Sequence, residues 1–172
     1  MDKSKFYKKY LPSIVYGGSD GAVSYFTLMA GAYGAGLPIK MLIAVGVSNI
    51  FADAFSMASA DYLSEDSKAK ENKSLAGQNA FVTFISFIAL GVLPLIPTVY
   101  AYTTLDPSGT LPFEMFIMSS ALTMLGFICI GYLRAKVLNR NTKYTILQSI
   151  LICSVSAIMA YYIGEGVATF LK

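Results

Sequence analysis

Residues 41–63 read MLIAVGVSNIFADAFSMASADYL, an almost unbroken apolar run that contains two aspartates and no basic residue. A helix needs about 20 mostly apolar residues to cross the hydrocarbon core of a bilayer. This run is long enough to do so. It therefore predicts a transmembrane helix and, with it, an integral membrane protein.

Four further stretches of similar length and composition flank this run. They are Ile14–Gly36, Phe81–Tyr102, Phe113–Leu133 and Ile146–Leu171. The five predicted spans leave no room for a soluble domain, and the longest polar stretch, Ser64–Asn79, has no apolar periodicity. We therefore expect an all-α integral membrane fold of five transmembrane helices that forms one domain over residues 1–172.

The composition favours the same fold class. Hydrophobic residues make up 55% of the chain and charged residues 13%, with a mean hydropathy of +0.58, whereas soluble domains average about 25% charged residues. The chain has no histidine, and its two cysteines, Cys129 and Cys153, stand in apolar runs. These features exclude zinc-finger spacing, histidine-based catalysis and a disulfide framework. We expect no enzyme, no cofactor and no nucleic-acid partner.

The basic residues are distributed asymmetrically between the two sides of the predicted spans, and an excess of lysine and arginine marks the cytoplasmic side. Most of the 13 lie on the N-terminal side, namely Lys3, Lys5, Lys8, Lys9, Lys68, Lys70, Lys73, Arg134, Lys136, Arg140 and Lys143. The other side has only Lys40 and Lys172. This distribution predicts a cytoplasmic N-terminus, an uncleaved first span and a C-terminus outside the cell or in a lumen.

The odd number of predicted spans excludes two inverted halves within one chain. Five helices also leave little room for a central pathway, and two-fold dimers are the commonest oligomers. We therefore expect a homodimer embedded in the lipid bilayer. In the third span, Pro94 and Pro97 remove backbone hydrogen bonds and predict a static kink, with a gate as the alternative.

Acidic residues inside the predicted spans need a physical reason, because a carboxylate at mid-membrane costs about 2.5–3.5 kcal/mol on insertion scales. Asp20 and Asp53 lie well inside the first two spans. Asp61 lies near the cytoplasmic end of the second span and is expected to be an interfacial helix-end residue. Glu165, in the last turns of the fifth span, is expected to be solvated, with a role in an exit path as the alternative.

The first two spans are joined by a short turn near Pro38, so they form an antiparallel hairpin. Residue counts from this turn place Asp20 and Met57 at the same depth. One stripe of the second span, at helical spacing, carries Asn49, Asp53, Ser56 and Met57. The first span carries a matching stripe of small or polar residues, namely Asp20, Ser24, Thr27 and Gly31. We expect the two stripes to face each other and to form a polar seam.

The side chains of this seam predict a metal site. Two carboxylates, a carboxamide, hydroxyls and a thioether suit a divalent transition ion such as Fe²⁺ or Mn²⁺, and two aspartates can exchange bound protons for that ion. The predicted ligands are Asp20, Asn49, Asp53, Ser56 and Met57. The alternatives are that the aspartates are structural hydrogen-bond partners, that Asn49 only joins helices and that Met57 only packs.

Several of these segments resemble motifs of the vacuolar iron transporter family. Gly17–Gly21 (GGSDG) is similar to the family's G-x-x-D-G, and Ala52–Met57 (ADAFSM), followed by Tyr62–Ser64 (YLS), is similar to its A-D-x-x-S-M…Y-L-S segment. Gly91–Pro97 (GVLPLIP) resembles the third-span G-x-x-P-L-x-P, and Ala160–Gly164 (AYYIG) resembles A-Y-x-x-G of the fifth span. The matches follow in order along nearly the whole chain.

This resemblance implies a five-span dimer that exports cytosolic Fe²⁺, and often Mn²⁺, in exchange for protons. The family's span-one aspartate and span-two methionine take part in transport, and they correspond to Asp20 and Met57. Asn49 stands where many members have a glutamate, and Asp53 stands where those members have a small residue. Plant members also have a glutamate-rich cytoplasmic insertion after the second span, for which this chain is too short.

The sequence thus predicts a transporter that moves Fe²⁺, Mn²⁺ or both out of the cytoplasm, coupled to proton antiport. A transporter of another divalent cation on the same fold and a non-transporting membrane scaffold are the alternatives. We expect a multi-pass protein of the plasma membrane if the source is prokaryotic, and of a vacuolar-type membrane if it is eukaryotic.

Overall fold

The computed structural model describes residues 3–67 and 73–171, with side chains described from Lys9 to Ser67 and from Ser74 to Leu171. The predicted loop residues Lys68, Lys70 and Glu71 therefore lie outside the described residues, as does Lys172. All the regular structure described is helical. The helices are α1 (Lys3–Gly34), α2 (Ile39–Asp66), α3 (Lys73–Gly91), α4 (Leu95–Thr104), α5 (Phe113–Leu138) and α6 (Thr142–Phe170).

Four of these helices are long and apolar enough to cross a membrane, so the chain is a multi-pass membrane protein. They are α2, α3 from Ser74 to Gly91, α5 and α6. α1 is the longest helix, at 32 residues, but the serines, glycines and Asp20 of its apolar stretch lower its average hydropathy. Length and composition therefore support an α-helical membrane fold with four candidate spans among the described residues, where the sequence predicts five. The candidate Ser74–Gly91 begins within the stretch Ser64–Asn79 that the sequence predicts to be a polar loop.

The third predicted span, Phe81–Tyr102, is two helices rather than one. α3 ends at Gly91 and α4 begins at Leu95. Across the turn, the backbone N–H groups of Leu93 and Leu95 donate to carbonyls three residues earlier, at 3.3 and 3.0 Å. Pro94 has no N–H to continue the regular helix, so the chain tightens and changes direction at this point.

α1 is the central helix of the bundle, because it packs against α2, α3, α5 and α6. Glycines bring its backbone into close contact with α3. A Cβ atom on Gly17 would overlap the carbonyl oxygen of Thr83, and one on Gly21 would overlap that of Phe87. Small residues at this spacing allow the close helix contacts that are typical of membrane bundles.

The contact between α1 and α6 uses glycines in the same way. A Cβ atom on Gly164 would overlap the carbonyl oxygen of Gly31, and one on Gly31 would lie 3.2 Å from the carbonyl oxygen of Ala160. Gly31 therefore faces α6. This differs from the expectation that Gly31 belongs to a stripe facing α2.

The turn between α1 and α2 is fixed to the loop between α4 and α5. The N–H of Ile39 donates to the carbonyl of Gly109 at 2.9 Å, and that of Lys40 donates to the carbonyl of Pro107 at 3.1 Å. Pro38 and Thr110 form an isolated antiparallel bridge beside these bonds. This end of the bundle is thus held together by backbone hydrogen bonds between two loops.

At the opposite end, α5 continues beyond Leu133, where the sequence predicts its end. Arg134 and Lys136 are therefore helical residues and do not belong to a loop. The helix ends at Asn139, which adopts the left-handed conformation with φ 50°, and Asn141 accepts a hydrogen bond from the N–H of Tyr144 at 3.3 Å to start α6. Asparagine suits both positions.

Two glycines of α6 allow a direct test of the α1–α6 contact. Gly164→Ala forces a methyl group into the backbone of Gly31, so we expect it to lower the free energy of unfolding by about 1–3 kcal/mol. A Cβ atom on Gly166 would meet no described atom within 4 Å, so Gly166→Ala should leave stability unchanged or raise it, by up to about 1 kcal/mol. Thermal unfolding followed by circular dichroism in detergent measures both variants. Equal effects of the two substitutions would contradict the close contact.

Candidate functional site

Asp20 lies in the middle of α1 and is partly buried. Its side chain lines a cavity of about 410 Å³ that is bordered by α1, α5 and α6. The polar groups in the wall include the hydroxyls of Tyr16, Ser19 and Ser149. A volume of this size holds a hydrated ion, since each water takes about 30 Å³ of liquid volume. Asp20 therefore has a space in which to bind a cation.

Asp53 and Asn49 lie one turn apart on α2, and both are partly buried. The carboxamide Nδ2 of Asn49 donates to Oδ2 of Asp53 at 2.6 Å. Asp20 and Asp53 lie on two helices, α1 and α2, that pack against each other. The structure thus joins Asn49 to Asp53 directly by a hydrogen bond, and it relates Asp20 to them only through the packing of α1 against α2.

The two polar stripes do not face each other directly. The buried face of α2 consists of apolar residues, among them Gly46, Ile50 and Ala54, and Gly46 packs against the ring of Tyr25 from α1. Asn49 and Asp53 stand next to this face. Apolar packing holds the helices together, and the polar residues lie at the edge of the contact, where some access remains.

Met57 and Ser56 are placed differently from the carboxylates. Met57 is partly buried one turn beyond Asp53, whereas Ser56 is exposed. In the part of the chain that the structure describes, no hydrogen bond joins Ser56 to Asp20 or Asp53. Their roles as ligands therefore stay predictions.

In the described part of the chain, acidic and sulfur ligands alone do not form a complete metal site. Within residues 3–67 and 73–171 there is no group of three or more histidine, cysteine, aspartate or glutamate residues that could hold a metal ion. A cation between Asp20 and Asp53 would need other donors to complete its coordination. The chain itself offers carboxamide, hydroxyl and thioether groups for this purpose.

Asp61 is a structural residue that joins three helices. Its Oδ2 accepts hydrogen bonds from Thr83 Oγ1 of α3 at 2.5 Å and from Ser13 Oγ of α1 at 3.3 Å. Thr83 is fully buried and Ser13 is 5% exposed, so the carboxylate provides acceptors for two buried hydroxyls. The sequence predicts Asp61 to be an interfacial residue at the end of a helix and does not predict these hydrogen bonds to α1 and α3. Glu165, by contrast, is exposed, in agreement with the expected solvated position.

The sequence does not point to Arg134 as part of this region. Its side chain lines the same cavity as Asp20, and its Nη1 donates to Ser149 Oγ at 3.4 Å. In the sequence, Arg134 counts only as one of the basic residues of a cytoplasmic loop. Arg134 lies seven residues, or about two helical turns, after Phe127, which also lines the cavity. This spacing would have placed both residues on one face of the helix if the predicted span had been extended beyond Leu133.

These observations define a class of protein: an α-helical multi-pass membrane protein with a pair of carboxylates next to a cavity in its helical bundle. Comparison with known proteins identifies the family. The sequence model of the VIT family matches residues 11–77 and 70–165, so the chain belongs to the VIT family.

Three similar relatives carry the name "Vacuolar iron transporter". The protein from Toxoplasma gondii (strain ATCC 50861 / VEG) is 42% identical over 55 residues, which are 32% of this chain and 18% of the relative. Those from Plasmodium berghei (strain Anka) and Plasmodium falciparum (isolate 3D7) are 37% and 35% identical over 57 residues, which are 33% of this chain and 21% of each relative. The matches thus span about a fifth of the length of these relatives.

The structural role of Asp61 can be tested with a neighbour on the same helix. We expect Asp61→Ala to lower the free energy of unfolding by about 1–3 kcal/mol, because it leaves buried hydroxyls without an acceptor. Asp66 is exposed near the end of α2, so Asp66→Ala should change stability by less than about 0.5 kcal/mol. Chemical denaturation in detergent micelles measures both. A stability of Asp61→Ala equal to that of Asp66→Ala would contradict the three-helix connection.

Proposed function

We propose that this protein transports Fe²⁺, Mn²⁺ or both out of the cytoplasm in exchange for protons. The observation that carries the proposal is a pair of partly buried carboxylates, Asp20 and Asp53, on two packed helices of a largely apolar bundle, with a cavity beside Asp20. Two neighbouring carboxylates in a membrane repel each other and are poorly solvated, so they gain most from a divalent cation or from protons. Family membership and the names of the relatives support iron as a substrate.

The proposal assigns five transmembrane helices, with the broken pair α3–α4 forming the third crossing. α1 is then the first span, although its polar residues lower its hydropathy. With this arrangement the ends of α2 and α5 lie on the same side as the N-terminus, together with most of the basic residues. The excess of lysine and arginine supports a cytoplasmic location for that side.

Asp20 and Asp53 are the proposed primary ligands, and Asn49, Ser56 and Met57 are further donors. The hydrogen bond from Asn49 holds one oxygen of Asp53 and orients the carboxylate. Oxygen donors dominate this set, with one thioether, which favours Fe²⁺ or Mn²⁺ over ions that require several nitrogen or sulfur ligands. Weak coordination of this kind allows the ion to leave again.

A proton can replace the metal ion on each carboxylate, which makes antiport chemically simple. When the divalent cation leaves, two protons restore neutrality to the pair, and the apolar bundle never holds two uncompensated charges. A homodimer would bring a second set of the same residues and supply donors that one chain lacks. The protein would then act in a vacuolar-type membrane in a eukaryote or in the plasma membrane in a prokaryote.

The test is metal uptake into proteoliposomes with an imposed pH gradient. We expect Asp20→Asn and Asp53→Asn each to reduce Fe²⁺ or Mn²⁺ uptake at least about tenfold, because each removes a charge that the cation needs. Glu114 is an exposed carboxylate in the first turn of α5, so Glu114→Gln serves as the matched control and should retain uptake within about twofold. Normal uptake by both aspartate variants, with the fold intact, would leave a scaffold as the better explanation.

The thioether of Met57 is tested by ion selectivity. Met57→Leu keeps the size of the side chain but removes the sulfur, so we expect a larger loss of Fe²⁺ uptake than of Mn²⁺ uptake, because Mn²⁺ prefers oxygen ligands. Side-by-side assays with Fe²⁺, Mn²⁺, Zn²⁺ and Co²⁺ measure this change. Met118 is exposed on α5, and Met118→Leu should preserve the wild-type order of ions. If Met57→Leu leaves the order of uptake of the four ions unchanged, Met57 has only a packing role.

A further inference from the structure

We propose that Arg134 is a tethered cation that competes with the transported metal ion for Asp20. The inference rests on the proposed function and adds a specificity-determining residue to it. Arg134 from α5 and Asp20 from α1 line the same cavity. Among the described residues that form this lining, Arg134 carries the one fixed positive charge, and it shares the space with the carboxylate that would bind the ion.

The position of Arg134 results from the length of α5. This helix continues to Leu138 before it ends at Asn139, so Arg134 is more than one turn inside the helix. Its neighbours Gly131 and Ala135 are buried, which places Arg134 beside the packed face. Lys136 lies on the outer side, over the exposed ring of Tyr132 at 5.7 Å from its centroid. One end of α5 thus carries one cation inside the bundle and one outside.

The hydrogen bond that holds Arg134 is weak enough to exchange. Its guanidinium donates to Ser149 Oγ at 3.4 Å, which is long for a hydrogen bond, and that hydroxyl also donates to the carbonyl of Thr145 at 3.1 Å. A carboxylate is a stronger acceptor for a guanidinium than a hydroxyl is, because the bond is charge-assisted. The arginine therefore has a better partner within the same cavity whenever Asp20 is free to accept it.

Two arrangements of the cavity follow from these facts. In one, the guanidinium contacts Asp20 and neutralises its charge. In the other, which the structure shows, the guanidinium contacts Ser149 and Asp20 is open to a cation. Because arginine stays protonated under all ordinary conditions, the guanidinium and a metal ion compete for the same negative charge on Asp20. A divalent ion carries twice the charge of a monovalent ion and competes better with the guanidinium, which gives the site a preference for charge +2.

Three substitutions test the exchange, with equilibrium Mn²⁺ binding to detergent-solubilised protein and Mn²⁺ uptake into proteoliposomes as readouts. Arg134→Gln removes the competing charge, so Mn²⁺ should bind roughly three- to thirtyfold more tightly, the range expected for one unit charge in a partly hydrated site. Arg134→Lys keeps the charge and should stay within about threefold of the wild type. Ser149→Ala removes the alternative partner of the guanidinium, so Mn²⁺ binding should weaken.

Competition predicts that Arg134→Gln strengthens Mn²⁺ binding and that Ser149→Ala weakens it. If Arg134 had only a structural role, both substitutions would weaken Mn²⁺ binding. Lys136→Gln removes a positive charge from the same end of α5 outside the cavity and should leave Mn²⁺ affinity unchanged. If the wild type binds and transports Mn²⁺ but Arg134→Gln binds it with unchanged or lower affinity, the role of Arg134 is wrong and the proposed function stands. If neither the wild type nor any of the variants binds or transports Mn²⁺ or Fe²⁺, the proposed function is wrong, and the role of Arg134 is wrong with it.

Discussion

Carboxylates are costly to place in an apolar helical bundle. Asp20 and Asp53 each lie in the middle of a long helix of such a bundle. Such a side chain needs hydrogen bonds, a counter-charge or water to offset its lost hydration. The bundle provides a carboxamide to Asp53 and a cavity to Asp20. Under the proposed function, an exchangeable cation supplies the counter-charge to both carboxylates.

Close helix packing at glycines positions α1, the helix that carries Asp20. α1 contacts four other helices, and it can do so because glycines reduce its cross-section on two sides, at Gly17 and Gly21 toward α3 and at Gly31 toward α6. Between these contacts, Asp20 is one residue away from Gly21 and is positioned by the same packing. The G-x-x-D-G segment therefore has a packing role at Gly17 and Gly21, and the proposed function adds a chemical role at Asp20.

Much of this architecture was predictable from the sequence, because long apolar runs and expensive charges are strong local signals. The helical membrane class and the turn at Pro38 follow from such signals, and the roles of Asp20 and Asp53 stay predictions. The split of the third span was only partly visible, since Pro94 indicates a kink but not a complete break between Gly91 and Leu95. The partners of Asp61 and the position of Arg134 were not predictable, because both depend on which helix faces lie together after folding.

The comparison of Asp53 with Asp61 shows how environment separates two chemically identical residues of α2. They lie two turns apart, but Asp61 accepts hydrogen bonds from two hydroxyls on two other helices, whereas Asp53 accepts one from Asn49 on its own helix. Asp53 is partly buried and has no described hydrogen-bond donor from another helix. Asp61 gains little from a metal ion, because the two hydroxyl donors already offset the hydration that its carboxylate loses on burial. Its hydrogen bonds also join three helices, so the side chain has to stay in place. The carboxylate with fewer protein partners, Asp53, is therefore the one to which the proposed function assigns the binding and release of an ion.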